Sequence, residues 1–336
     1  MTPRFFSLGP LQRAFWGAGL LFGAVASAHA QEGTAPANQA DTTAVPSSPT
    51  PAQPTSPAAT EEAPKTGLAL GADLFYGSSN LPSAHRFRDG FWLGSGAYFP
   101  SNVYALYNAK DGTSAKVAVS LGKFYNGSVP GFDQPIEAYV SRPLGKTTFT
   151  AGKFYVPFEL QEWEYETEYG LQAARDLGKR GSVVAALTYN RRRDTPNAYL
   201  RYARSIGPAT VGLSLGGGRG FSFDTDHDRG ASLDLTVERG RFRLESAALL
   251  AQKSSASSRF LFAFARLNFQ LNPKTKLYLA RHSWSDRLDQ QGNGHFSTLG
   301  AVYRLTPHLA LEGAVSRSGE LKRNINWIEL HYTAQR

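Results

Sequence analysis

Charged residues recur through this chain at alternate positions, most of them flanked by apolar ones. Lys116, Lys153, Arg201, Arg243, Arg266, Arg281 and Arg304 stand in that pattern, as do Glu137, Asp176, Asp234, Glu238, Glu245, Glu312 and Glu329. There are seven of each sign. Such a set either hydrates and cross-braces a polar surface, or acts as opposed arrays whose transverse field orders water and small solutes. Bond-making chemistry has little support. Asp224, Asp226 and Asp228 alternate as oxygen ligands for a divalent cation would, but Arg229 stands where a helical calcium loop needs glycine. His85, His227, His282, His295, His308 and His331 lack metal-ligand spacing. His282, Ser283, Ser285 and Asp286 are close in sequence, yet a strand splits them between opposite faces and no nucleophile motif accompanies them. With no cysteine, thiol nucleophiles and zinc-thiolate sites are excluded. We expect no catalytic residue, no metal and no cofactor.

The elements that carry these charges are strands with one greasy face. Ala231, Leu233, Leu235 and Val237 alternate with Ser232, Asp234, Thr236 and Glu238. After Arg239-Gly240-Arg241, a second alternating run continues to Ala251. Period two means a strand whose faces meet different surroundings. The clearest other strands are 182–189, 198–206, 209–215, 259–270, 276–284, 298–305, 308–315 and 325–332. Tight turns at Gly178 to Gly181, Gly207-Pro208, Arg239 to Arg241, Asn272 to Lys274 and Thr306-Pro307 separate some of them. Longer polar stretches, 191–196, 219–228, 253–258, 285–294 and 318–323, separate the rest. About sixteen strands are predicted from Gly67 onward, within a range of about 14 to 18, and bacterial single-chain barrels have an even number. Carried back past Pro143, the alternation leaves an odd count. One apparent strand between Gly67 and Phe124 is therefore something else, near Pro100-Ser101-Asn102.

Composition fits strands facing lipid. The chain has 33 Gly, 15 Tyr and 21 Phe but one Met, and aromatics suit the two interfacial girdles of a membrane barrel. Mean hydropathy is −0.33, as expected when half of each strand faces water. No run of about 18 apolar residues follows residue 30, which excludes a spanning helix. Residues 1–30 read as a signal peptide: Arg4 and Arg13, an apolar core from Ala14 to Ala26, and Ala28-His29-Ala30 as cleavage site. An uncleaved anchor is the alternative. Residues 31–66 are rich in Pro, Ala, Thr and Ser and are expected to be a disordered periplasmic linker.

Together these features predict an all-β fold, a transmembrane antiparallel β-barrel over 67–336 preceded by a disordered Pro/Ala-rich segment. It is expected in the outer membrane of a diderm bacterium. The alternating charges become candidate pore-lining residues. Glu159, Glu162, Glu164, Glu166 and Glu168 follow Pro157-Phe158 and become candidates for a constriction if that loop folds inward, or a solvated rim if it does not. The formal charge is +9, and +10 for the chain from Gly67. With the strand charges balanced, the excess belongs to loops such as Arg191-Arg192-Arg193, where lipopolysaccharide phosphate or anions are the available partners and nucleic acid is not. The bilayer, lipopolysaccharide, small hydrophilic solutes and further copies in a homotrimer are the expected partners. The function expected is passive diffusion of small solutes or ions; the alternative is a non-conducting barrel serving as structural anchor or adhesin.

Glu137 to Val140 and Ala151 to Glu159 resemble the strand-to-loop passage of the phosphate-selective porin O/P family and of the related putative β-barrel porins. The resemblance spans about thirty residues, and Gly152, Lys153, Phe154, Pro157 and Phe158 are the matching positions. It implies a 16-stranded passive diffusion channel. Two features depart from it. The balanced strand charges do not reproduce the family's cationic ladders, and Thr333 to Arg336 trail the last apolar strand where an aromatic usually ends the chain.

Overall fold

The computed structural model describes residues 66–80, 101–120, 135–158, 167–191, 194–218, 228–252, 259–286, 293–319 and 322–335. The first strands are β1 (Gly67–Ser79), β2 (Asn102–Asn108), β3 (Ser114–Ser120), β4 (Glu137–Leu144), β5 (Thr147–Tyr155) and β6 (Thr167–Asp176). Next come β7 (Ser182–Asn190), β8 (Thr195–Ile206), β9 (Ala209–Gly218), β10 (Arg229–Arg239) and β11 (Phe242–Gln252). The last are β12 (Arg259–Asn272), β13 (Thr275–Asp286), β14 (Asn293–Thr306), β15 (Leu309–Ser318) and β16 (Arg323–Gln335). Each pairs antiparallel with its neighbours in the chain. β16 then pairs with β1, from Gly71 opposite Gln335 to Ser79 opposite Trp327. The sheet is a closed ring of sixteen strands. Closure removes both edges and pairs the backbone polar groups within the wall, which is the condition for strands to cross a bilayer.

The odd strand count resolves in the first third of the chain, where β1, β2 and β3 are the strands among the described residues before β4. β2 begins just after the Pro100 break. Ser101 carries the pairing a step further: its hydroxyl accepts from the Phe75 N–H at 2.8 Å and donates to the Phe75 carbonyl at 3.1 Å. Several strands run beyond the sequence expectation. β8 starts at Thr195 and β14 at Asn293, both inside stretches read as loops, because ladder pairing holds polar residues in extended backbone. The short turns, between β2 and β3, β4 and β5 and so on to β14 and β15, share one end of the ring with Gly67 and Gln335.

The outward face is apolar around the ring. Leu70, Leu171, Leu187, Leu213, Leu233, Leu279, Leu299 and Ile328 are all exposed, Leu187 to 70% and Leu299 to 64%. Left in water, each such side chain forgoes about 1.5–3 kcal/mol of burial. A belt of them over the whole circumference belongs in lipid.

Candidate functional site

The inner face is set by the same alternation. Asp73, Glu137, Glu168, Asp176, Asp234, Glu238, Glu245, Glu312 and Glu329 all occupy inward positions, so every acidic strand residue with a described side chain points away from lipid. Lys116, Arg201, Arg243, Arg266, Lys276, Arg304 and Arg323 share that face. Pairing follows from register. Lys116 on β3 binds Glu137 on β4. The Arg243 and Arg266 guanidinium groups both bind the Glu245 carboxylate, at 2.7 and 2.8 Å, and Arg243 also binds Glu238 at 2.6 Å. Asp73 on β1 contacts the His331 ring on β16, which stacks on Phe75 at 4.2 Å, so a polar pair and a ring stack both bridge the closing seam.

Arg201 on β8 reaches Asp234 on β10 across an intervening strand. Its two terminal nitrogens donate to the two carboxylate oxygens at 2.5 and 2.9 Å, and one also donates to Ser214 Oγ at 2.9 Å. The bridge exists because β9 presents Gly212 beneath it. A Cβ there would lie 2.4 Å from the Asp234 oxygens and 2.6 Å from the Arg201 guanidinium. Glu168 is held differently, by neutral donors. Asn190, Asn197 and Tyr199 donate to its carboxylate at 3.0, 2.7 and 3.2 Å, and the Thr188 hydroxyl donates as well.

The second feature of the interior is apolar. Phe154, Val156 and Phe158, at the end of β5 and just beyond, are 4%, 0% and 0% exposed. They belong to one cluster with Ala186 of β7, Tyr199 of β8, Leu249 and Ala251 of β11 and Phe260, Phe262 and Phe264 of β12. The Phe158 ring meets the Tyr199 ring edge-on at 6.3 Å. β12 is seven strands from β5 in the ring, so the inward Phe154 side chain and the residues just after the strand, Val156 and Phe158, reach into the lumen rather than over its rim. Near the end of the strand, Gly152 has φ 125° and lies so close to β4 that a Cβ would sit 2.2 Å from the Ala138 carbonyl oxygen. Gly152→Ala is therefore expected to cost at least about 1–3 kcal/mol in backbone strain alone. The measurement is the temperature at which the folded barrel loses its compact electrophoretic mobility.

Of the residues picked from sequence, Lys116, Glu137, Arg201, Asp234, Glu238, Arg243, Glu245, Arg266, Arg304 and Glu312 lie at inward positions. Arg281 does not. It is exposed and in line with Leu277 and Leu279, because the inward positions of β13 belong to Tyr278, Ala280 and His282. Lys153 is 2% exposed, in register with Ala138 and Tyr169, and its ammonium lies 5.4 Å from the Tyr169 ring centre. It is a covered side chain, not one facing the water of a wall. Glu168, expected in the acidic loop, is the second residue of β6. Glu159, Glu162, Glu164 and Glu166 lie outside the described residues, as do Arg192, Arg193, Asp224, Asp226, His85 and His227. Among the described residues no group of three or more acidic, His or Cys side chains has metal-binding geometry. Sequence reading passed over the apolar inner row of β12, the donors around Glu168, and Gly212. The first had a signal: Phe260, Phe262 and Phe264 share parity with Arg266 and Asn268.

The closed sixteen-strand antiparallel ring, with leucines on its lipid-facing side and paired charges on its inner one, is a fold shared with outer-membrane barrels. Solved structures with the same fold include an anion-selective porin from Comamonas acidovorans, at TM-score 0.58 and 11% identity, covering 80% of this chain and 98% of that one. The outer membrane channel DcaP of Acinetobacter baumannii aligns at TM-score 0.58 and 10% identity, covering 80% and 98%. OmpT, an outer membrane protein of Vibrio cholerae solved in trimer form, aligns at TM-score 0.54 and 13% identity, covering 80% and 99%. No family model and no curated protein matches this chain.

Proposed function

We propose that this protein is an outer-membrane porin that passes small hydrophilic solutes or ions by passive diffusion. The carrying observation is the sorting of side chains in the closed ring, with leucines outward and every described strand carboxylate inward. The inward charges are the pore-lining residues of this reading, and residues 154–158 form its narrowing. Nine inward carboxylates face seven inward cations and most are paired, so selectivity is weak and the chain's positive excess lies elsewhere. That wall carries no cationic ladder, and phosphate specificity is not part of the proposal. Residues 1–30 act as the export signal and 31–66 as a periplasmic tether. The likeness to the trimeric Vibrio protein supports a homotrimer. Purified protein in a planar bilayer tests this reading. Discrete ohmic steps, grouped in threes, are the expected result. Electrical silence from a folded barrel would overturn conduction and leave a plugged anchor or adhesin.

A further inference from the structure

The outward face lacks described carboxylates, but it does not lack charge. Arg281 on β13, Ser297 on β14 and Arg317 on β15 stand side by side in one lateral row, followed by Asn324 on β16. Both arginines are exposed. Arg281 donates to Ser297 Oγ at 2.8 Å, and Arg317 lies 3.4 Å from Asn324 Oδ1. The next row toward the short-turn end is Leu279, Leu299 and Val315, all lipid-facing. On the three preceding strands Arg229, Gln252 and Arg259 share a row at their long-loop ends. At the same end of β1 to β4 the outward residues are Tyr76, Val103, Val119 and Ala138, which carry no charge.

Two guanidinium groups above an apolar row, with only neutral acceptors and no carboxylate among the described residues of their face, suit an anion from outside the chain. Strands lie about 4.8 Å apart, so the two arginine backbones are separated by about 10 Å, and both forks can converge on one group above Ser297. A guanidinium on a long aliphatic stem can lie along such a row while its fork rises to the interface. Planar forks bind phosphate through paired hydrogen bonds, which suits arginine better than lysine. We propose that Arg281, Ser297, Arg317 and Asn324 form a binding site for the phosphate of an outer-leaflet lipid headgroup, the group that lipopolysaccharide carries on its lipid A. The site rests on the barrel being embedded in a membrane and is independent of whether it conducts.

The test is a titration of the purified full-length protein in detergent with bisphosphorylated lipid A, read by native mass spectrometry. The parent is expected to bind it at least about tenfold tighter than dephosphorylated lipid A, the equivalent of about 1.4 kcal/mol. The Arg281→Gln/Arg317→Gln double variant is expected to lose that preference, while Arg142→Gln, at the short-turn end, keeps it. Heat-shifted mobility checks that each variant is folded, and bilayer conductance, expected unchanged, separates this site from the pore. Equal binding of lipid A by parent and double variant overturns the proposal. So does displacement of lipid A by an equal concentration of inorganic phosphate. A changed oligomeric state with unaltered lipid A binding also overturns it and makes the row a contact between copies.

Discussion

Phe158→Ala is expected to lower barrel stability by about 3–5 kcal/mol, the usual cost of emptying a fully buried aromatic site, and to raise single-channel conductance. The ring has no exposure, meets Tyr199 edge-on, and belongs to the cluster that joins residues 154–158 to the inner rows of β11 and β12. Removing it leaves a cavity and weakens the attachment of a segment lying across the lumen. Two readouts separate these effects. Thermal loss of folded mobility reports the packing cost, and conductance in a planar bilayer reports the freed cross-section. Phe262→Ala removes a partner from the wall without shortening the segment, and should act in the same direction on both. Residues in one packed cluster couple by about 0.5–3 kcal/mol, so the double variant should cost less than the two singles together. A variant that melts early yet conducts as the parent does would show that solutes pass elsewhere in the barrel.

Glu245→Gln is expected to shift reversal potential toward chloride in a KCl gradient and to cost about 3 kcal/mol, the scale for removing one charge of a buried ion pair. Glu245 is the shared acceptor of Arg243 and Arg266. Arg243 keeps Glu238 when Glu245 is neutralised, whereas Arg266, 4% exposed, loses its charge-assisted contacts to the Glu245 carboxylate. The amide can still accept one hydrogen bond, so the variant folds and its selectivity can be read. Local charge becomes more positive by one, and the field across the lumen tilts toward anions. An unaltered reversal potential would place this cluster outside the conducting path.

Much of the architecture was readable before folding. Alternation in 231–251 and the later strands gave strand identity and one lipid-facing side, since a period of two admits a single sorting of side chains. Balanced strand charges likewise marked the wall. Misplaced residues fell where parity was not followed to its end. Arg281 shares parity with Leu277 and Leu279, and the polar character of arginine argued wrongly for an inward position. In β12, Arg266 and Asn268 fix the inward parity, which carries Phe260, Phe262 and Phe264 inward with them.

By itself, then, the order of residues determined that strands form and which of their sides meets lipid. Only the tertiary structure decided the ring of sixteen, the bridging of Arg201 to Asp234 above Gly212, the neutral cradle of Glu168, and the aromatic row that holds residues 154–158 in the lumen. The reason is physical. Alternation is a property of one strand and its immediate surroundings, whereas these contacts join residues whose neighbourhood is created by register and closure. A phenylalanine suits lipid and a buried interior equally well, so its hydrophobicity alone cannot say which of the two it faces.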